Sequence, residues 1–179
     1  IGVHIAVLRL PRIANFDDFD PLMAESDVVV EIVPPGRALP GDADLIILPG
    51  SKSTIADLAQ LRGEGWDIDI AAHLRRGGFI LGICAGYHVL GGTIADPAGI
   101  EGPAGSVAGL GLLDLSPEMT GDKRLPEANG THAARHTPMH GQESQNGPPA
   151  GSPREHPFLD FAAPPLAAAP PPHRLFVLP

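Results

Sequence analysis

Short apolar runs alternate with segments of helical periodicity over the first half of the chain. Four of these runs have the length of a β-strand, and they are Ile5–Leu10, Val28–Val33, Asp44–Leu48 and the run that begins at Phe79. Strands that are apolar along their whole length, with helices between them, are typical of a parallel sheet covered on both faces. The pattern therefore predicts a doubly wound α/β domain with a mostly parallel central sheet.

Two helices are predicted between the third and fourth strands. Ser53 or Thr54 is expected to cap the first through its side chain, and the second runs from about Asp67 to Arg76. His73 lies on the second helix and is expected to face solvent. Helical spacing turns one set of side chains toward the sheet, namely Ile55, Leu58, Ala59 and Leu61 on the first helix and Ile68, Ala71 and Ala72 on the second.

The fourth apolar run leads into Gly82-Ile83-Cys84-Ala85-Gly86, which holds the only cysteine of the chain. A glycine on each side of a central nucleophile is typical of a sharp strand-to-helix turn, which strains the central residue and exposes its side chain. Cys84 then stands at a helix N-terminus, where the dipole favours the thiolate. A lone cysteine is more often a small buried hydrophobe, but the paired glycines favour the activated nucleophile.

A second loop, Pro49-Gly50-Ser51, follows the third strand. Ligands of parallel sheets bind outside the carboxyl ends of the strands, and both this loop and Cys84 are expected there. The loop is a candidate to donate a backbone N–H of Gly50 or Ser51 to an oxyanion, with the N–H of Ala85 as another donor. The alternative is that the loop only begins the next helix.

Composition narrows the class of protein. The chain has 179 residues, of which 43% are hydrophobic, so it is long enough for one globular domain with a core. Its net charge of −9 argues against nucleic acid or an anionic membrane surface as a partner. No apolar run has the length of a membrane span. A single cysteine forms no internal disulfide, which fits a reducing cytoplasm.

Three further segments, together with the elbow, resemble one family. They are Leu48–Leu58 (Leu-Pro-Gly-Ser-Lys-Ser-Thr-Ile-Ala-Asp-Leu), Leu10–Leu22 and Ile94–Gly102. These segments are similar to the glutamine amidotransferase domain of cobyric acid synthases of the CobB/CobQ type, whereas the elbow alone indicates only the wider class I amidotransferases. The resemblance runs nearly unbroken from Ile5 to about Leu125. It implies a class I glutamine amidotransferase-like (flavodoxin-like) three-layer sandwich.

The resemblance also implies a function and partners. Cys84 would hydrolyse L-glutamine, and the ammonia would pass to an ATP-dependent synthetase domain that amidates carboxylates of a corrinoid. In the family the synthetase domain comes first, so it would lie before Ile1 and would hold the ATP and Mg²⁺. No cofactor and no metal are expected in this chain itself.

The catalytic base is expected to be a histidine, because its pKa suits proton transfer near neutral pH. In the family this histidine precedes Gly-Leu-Phe near the end of a late strand. The only similar fragment here is His173-Arg174-Leu175-Phe176, so His173 is the first candidate, against the alternative of a solvent-exposed tail histidine. His88, one helical turn beyond Cys84, is expected to be structural or at the surface.

The last third of the chain departs from the family pattern and is expected to be degraded or irregular. Its Gly141–Gly147 stretch replaces a Gly-Tyr-Glu-Ile-His strand, and its polar residues do not predict one. The chain is thus predicted to hold an amidotransferase-like domain over residues 1–146. Residues 147–179 would form a poorly ordered Pro/Ala-rich tail, with at most a remnant of the catalytic-histidine strand. Two late strands of the family sheet would be weak or missing, and the strand that they cover would become an exposed edge.

Two classes of function stay open on the sequence alone. The first is a glutaminase-competent amidotransferase domain. The second is a catalytically silent remnant of that domain, which acts as a binding or structural module. An imidazole within hydrogen-bond reach of Cys84 would favour the first. A third interpretation, a stand-alone cysteine hydrolase of related fold, is not supported by the family-specific segments.

Overall fold

A computed structural model describes residues 2–119 with their side chains and, beyond them, the backbone of five strands. A short 3-10 turn, Asp17–Phe19, precedes the first helix. No helix of the described residues is long and apolar enough to cross a membrane. The elements in chain order are β1 Val3–Leu8, α1 Asp20–Met23, β2 Val28–Val33, β3 Leu45–Leu48, α2 Thr54–Gly63, α3 Trp66–Arg76, β4 Phe79–Ile83, α4 Ala85–Val89, β5 Thr93–Asp96, β6 Gly105–Ala108, β7 Leu115–Ser116, β8 Glu127–His132, β9 Pro138–Gln142, β10 Ala150–Gly151, β11 Leu159–Phe161 and β12 Leu175–Leu178.

The centre of the domain is a five-stranded sheet with the strand order β12-β4-β3-β1-β2. Every pair of neighbours in it runs parallel, as the sequence predicts. Because β3 and β4 are adjacent and parallel, their carboxyl ends meet at one edge of the sheet. The loop that begins at Pro49 and the elbow at Cys84 leave the sheet at this edge.

Both faces of the central strands are buried, which explains why the strands read as apolar along their whole length. Alternate side chains pack into two separate clusters. Helices α2 and α3 cover one face, where Leu8, Ile46, Leu48, Leu58 and Trp66 lie in the larger cluster. The other face is covered by the segment before β2, which contributes Phe19 to a smaller cluster with Ile5, Val7 and Ile47.

The buried face of α3 differs from the predicted one. This helix begins at Trp66 and buries Trp66, Ile70 and His73, whereas Ile68 is 68% exposed. The predictions that Ile68 faces the core and that His73 faces solvent are therefore wrong. Polar contacts set the face: the Trp66 indole N–H donates to the Arg37 carbonyl oxygen at 2.7 Å, and the His73 Nε2 lies 2.9 Å from the Phe79 carbonyl oxygen.

The core-facing side of α2 is close to the predicted one. Leu58 and Leu61 are buried and Ile55 is half-buried, but Ala59 is exposed, so that assignment is wrong. A carboxylate, Asp57, occupies the buried face instead. Apolar periodicity alone does not reveal it, because its place inside depends on polar partners from other segments.

The N-terminus of α2 is capped from a distance rather than by its own side chains. Ser53 occupies the N-cap position but makes no side-chain capping bond. The Ile55 amide instead donates to Oε2 of Glu101 at 2.8 Å. Glu101 is held in place because its own amide, with that of Ile100, donates to the buried Asp96 carboxylate. The predicted Ser53 or Thr54 cap is thus replaced by a carboxylate, which also suits the positive end of the helix dipole.

The expected exposed edge does not occur at β4. Strand β12 pairs with it in parallel over four residues, from Leu175 opposite Ile80 to Leu178 opposite Ile83. Strand β12 itself contains no proline, so each of its residues has a backbone N–H for the ladder. As an edge strand, β12 also occupies the position where neighbouring prolines are best tolerated.

Part of the polar stretch after Met139 also forms a strand. Gly141 and Gln142 end β9, which pairs antiparallel with β8, so the prediction of no strand is wrong for these two residues. Residues 143–147 and the predicted domain boundary after residue 146 lie outside the described residues.

We expect Gly78→Ala to destabilise the domain by about 2 kcal/mol, because a Cβ there would overlap the His73 imidazole and displace a well-packed group. Gly41→Ala is the matched control, since a Cβ at Gly41 meets nothing within 4 Å. Urea unfolding of both variants measures the difference. Equal midpoints for the two variants would contradict the close packing of Gly78 on His73.

Candidate active site

Cys84 sits at a strained elbow between β4 and α4. Its backbone angles are φ 51° and ψ −110°, and it is the only non-glycine residue with positive φ among the described residues. Such conformations persist where the surrounding structure enforces them, and they cluster at functional sites. Cys84 is also the N-cap residue of α4, and its side chain is half-buried. The predicted turn and its strain are confirmed.

The two flanking glycines are required by close backbone contacts. A Cβ on Gly82 would lie 2.8 Å from the carbonyl oxygen of Gly86, and a Cβ on Gly86 would overlap the carbonyl oxygen of Leu48. The start of α4 therefore packs directly on the carboxyl end of β3. This contact fixes where the elbow turns and, with it, where the thiol points.

The loop after β3 lies next to Cys84, as predicted. A Cβ on Gly50 would come 3.6 Å from the Cβ of Cys84 and 3.7 Å from the Cβ of Ala14. Gly50 and Ala14 thus form a wall beside the thiol, made of backbone and one methyl group.

Backbone N–H groups near Cys84 are available to a ligand. Ala85 opens α4, so its amide has no acceptor within the helix. In residues 2–119, the amides of Gly50 and Ser51 donate to no backbone carbonyl. The three amides named from the sequence therefore belong to two segments that meet at Cys84. Donors of this kind stabilise an oxyanion when they are held in place beforehand.

Asp57 and Arg12 are parts of this site that sequence reasoning missed. The Ser51 hydroxyl donates to Oδ2 of Asp57 at 2.7 Å, and Nη1 of Arg12 donates to Oδ1 at 3.1 Å. Arg12 and Asp57 are 45 positions apart, so no local pattern signals the pair. The only available signal was that both lie in segments that resemble the family.

Two of the described histidines lie at the far edge of the sheet from Cys84. His73 contacts the Phe79 carbonyl oxygen at the amino end of β4, about 16 Å of strand from the elbow. His4 is the second residue of β1, and its imidazole is 3.3 Å from the Glu31 carboxylate. Neither is a candidate for the base.

His88 is a structural residue of α4. It is 5% exposed, and burial lowers its pKa to about 4, so it stays neutral at pH 7. A base with so low a pKa has little driving force to accept a proton near neutral pH. Of the two predicted places for His88, structural or at the surface, the structure confirms the structural one.

His173 lies outside the described residues, and its assignment as the base stays a prediction. The register of β12 bears on it, because Leu178 pairs with Ile83, directly before Cys84. The carboxyl end of β12 thus adjoins the elbow, and its amino end at Leu175 is about 10 Å further away along the strand. His173 precedes that amino end in the sequence.

No group of three or more His, Cys, Asp or Glu side chains among residues 2–119 is arranged to hold a metal ion.

A parallel α/β sheet with a strained cysteine at the end of one strand and a glycine loop at the end of the next defines a class of protein. It is an α/β domain with a strand-to-helix elbow centred on a cysteine. Residues 4–166 match the family of CobB/CobQ-like glutamine amidotransferase domains, and the chain belongs to that family.

Relatives in the family are cobyric acid synthases. The chain is 56% identical over 157 residues to the cobyric acid synthase of Jannaschia sp. and 57% identical over 157 residues to that of Rhodobacter capsulatus. Each match covers 88% of this chain and 33% of the relative. The chain thus spans about a third of the length of these relatives.

Solved structures confirm the fold. The chain resembles one in the structure of PurLQS from Thermotoga maritima, with a TM-score of 0.72, 16% identity, and coverage of 99% of this chain and 86% of that one. It also resembles a crystal structure of a glutamine amidotransferase, with a TM-score of 0.68, 16% identity, and coverage of 97% and 87%.

Acid should destabilise the domain through His88. Burial lowers the pKa of His88 to about 4 in the folded state, against 6.5 for a histidine in the unfolded chain. Between these pH values the unfolded chain therefore binds a proton at His88 that the folded chain does not. The contribution is fully present above pH 6.5 and is lost as the pH falls toward 4, by about 3 kcal/mol in total. Burial also lowers the pKa of His73, which adds in the same direction.

The measurement is the free energy of unfolding in urea between pH 7 and pH 4.5, with His88→Gln as the non-titrating comparison. The loss of stability with falling pH should be smaller in that variant. Identical pH profiles for the two proteins would show that His88 does not titrate as its burial requires.

Proposed function

We propose that this domain hydrolyses glutamine and supplies ammonia to an ATP-dependent synthetase. The observation that carries the proposal is the strained Cys84 elbow with the Gly50 loop against it, in a chain that belongs to an amidotransferase family. Acyl transfer needs a nucleophile whose side chain is presented to the substrate, and Cys84 is the candidate. It also needs hydrogen-bond donors for the oxyanion, which the backbone amides beside Cys84 can supply.

The reaction begins at the Cys84 sulfur. The thiolate attacks the side-chain amide carbon of glutamine and forms a tetrahedral intermediate whose oxygen carries the negative charge. The carbon–nitrogen bond then breaks, and a proton delivered to nitrogen lets ammonia leave. Water attacks the resulting thioester, which releases glutamate and restores the thiol.

The oxyanion is stabilised by backbone amides from two segments. Ala85, directly after the nucleophile, supplies one N–H, and the Gly50-Ser51 segment supplies another. These donors need no side chain, so the glycine at position 50 leaves room for the substrate while keeping its own amide close. Removing one such donor typically reduces kcat about 100- to 1000-fold.

The proton to the leaving nitrogen comes from a histidine, and His173 is the candidate from the sequence. Leu175, two positions after His173, takes the place of the glutamate that wider class I enzymes have there, and it lies in β12 beside β4. A catalytically silent domain is the competing function. It is favoured by the position of His173 before β12 in the sequence rather than after it. Glutamine-dependent ammonia release by the full-length polypeptide decides between the two functions.

The ammonia is used by another part of the protein. The relatives are about three times as long as this chain, which leaves room for a synthetase domain. In that domain ATP and Mg²⁺ would activate corrinoid carboxylates for amidation, as the name cobyric acid synthase suggests. A thiol nucleophile without a disulfide partner suits the reducing cytoplasm, which we propose as the location.

Cys84→Ser should abolish ammonia release from glutamine by the full-length polypeptide that carries this domain. The same change should abolish labelling of this domain by an electrophilic glutamine analogue, because Cys84 is the only thiol of its 179 residues. His173→Ala is measured alongside. A drop of about 100-fold or more identifies His173 as the base, and an unchanged rate excludes it. Glutamine-dependent ammonia release by Cys84→Ser would rule out the proposed nucleophile.

Gly50→Ala should separate activity from folding. Its Cβ would make only ordinary contacts of 3.6–3.8 Å, so we expect the free energy of unfolding to change by less than about 0.5 kcal/mol. Glutaminase activity should fall at least roughly tenfold, because the methyl group fills space beside the thiol where the substrate amide must lie. Gly86→Ala is the contrast, since it should lose stability through the overlap with Leu48. Full activity in Gly50→Ala would place the substrate elsewhere.

A further inference from the structure

A buried carboxylate stands behind the wall of the candidate active site. Asp57 lies in the first turn of α2 and is 1% exposed. Its oxygens accept three hydrogen bonds: from the Ser51 hydroxyl at 2.7 Å, from the Arg12 guanidinium at 3.1 Å and from the Arg12 amide at 3.3 Å. A buried charge is tolerated only when it is satisfied in this way.

The direction of these bonds fixes the role of Ser51. A carboxylate only accepts, so the hydroxyl gives its single proton to Asp57. The same hydroxyl oxygen accepts the Ser53 amide at 3.0 Å. The Ser51 side chain therefore has no proton left for an oxyanion, and only the backbone amides of the Gly50-Ser51 segment remain to serve one.

Asp57 also holds the segment that backs this loop. The Ala14 amide donates to the Gly50 carbonyl oxygen at 2.8 Å, and the Lys52 amide donates to the Arg12 carbonyl oxygen at 2.8 Å. Residues 12–14 and 50–52 thus form a short antiparallel bridge. Asp57 binds Arg12 on one side of the bridge and Ser51 on the other, so it locks both sides to α2.

We propose that Asp57 is a positioning residue of the glutaminase: it sets the backbone of Gly50 and Ser51 at the distance from Cys84 that a tetrahedral oxyanion requires. This inference rests on the proposed function. Hydrogen-bond donors act on a transition state only when they are preorganised, and a misplacement of about 1 Å costs on the order of a hundredfold in rate. Asp57 touches no substrate and acts through the loop alone.

The test uses Asp57→Asn in the full-length polypeptide. An amide has the size of the carboxylate but presents an NH₂ group to one of the three donors. One of the three hydrogen bonds that Asp57 accepts is therefore lost. We expect kcat for ammonia release to fall roughly 10- to 100-fold while KM changes less than about threefold, because the oxyanion exists only in the transition state. Asp69→Asn is the matched control, since Asp69 also accepts a backbone amide, that of Leu39, on the neighbouring helix. It should keep full activity.

A second readout separates positioning from general disturbance. Iodoacetamide alkylates a thiolate by displacement at a saturated carbon, which forms no oxyanion. Alkylation of Cys84 should therefore proceed at the wild-type rate in Asp57→Asn while ammonia release is slow. A parallel loss of both rates would overturn the inference, since it would show that the thiol or the whole fold had changed.

Ser51→Ala keeps the carboxylate and removes only the hydroxyl that connects it to the loop. If both residues act through the same loop position, the double variant should be no slower than the slower single variant. Independent, multiplying losses would overturn the inference, as would unchanged kcat in a folded Asp57→Asn. A wild-type polypeptide that releases no ammonia overturns the proposed function itself, and this inference with it.

Discussion

The contact between the start of α4 and the end of β3 is the constraint on which the site depends. Gly86 packs so closely on the Leu48 carbonyl that no side chain fits between them. The helix can begin there only if the chain turns sharply after β4, and the positive φ of Cys84 is the result. The same approach brings the loop that follows Leu48 so near Cys84 that a Cβ at Gly50 would be in van der Waals contact with it. Strain at one residue and the proximity of the second loop thus have a single cause.

Carboxylates fasten the segments around this contact. Asp57, Glu101 and Asp69 each accept a backbone amide from a distant segment, and Asp96 accepts two from the turn that follows it. A charged acceptor bonds an amide more strongly than a neutral one does, which suits it to fixing irregular loops. Part of the net charge of −9 therefore has a structural use within the fold.

Local pattern was enough to predict the elements that bury their own residues. Strand β2 has the predicted bounds, and β1, β3 and α3 differ from theirs by one or two residues. The elbow was also predictable, because Gly82 and Gly86 have to be small for reasons that lie within a few residues of Cys84. Which face of a helix is buried is harder to predict. Ile68 faces solvent because Trp66 and His73, each with a polar partner, face inward.

Features that depend on partners far along the chain were not predictable. The cap of α2 comes from Glu101, 46 residues beyond Ile55, and Asp57 binds Arg12 across 45 residues. Strand β12 shows the same limit, since its four residues read as a fragment of a tail until the open edge of β4 is known. A chain segment too short to be stable alone can still complete a sheet that offers it a full ladder of backbone groups.

The arrangement explains how a cysteine site can be assembled from so few functional side chains. In the proposed reaction, Cys84 brings the reacting sulfur, and the neighbouring amides of Ala85 and the Gly50 loop bring the charge stabilisation. Backbone groups cannot change rotamer, so their precision depends only on how firmly their segments are held. The Leu48–Gly86 contact holds the segment with Ala85. The hydrogen bonds of Asp57 to Arg12 and Ser51 hold the Gly50 loop. Substrate binding then does not have to order the site, and more of its binding energy is left to act on the transition state.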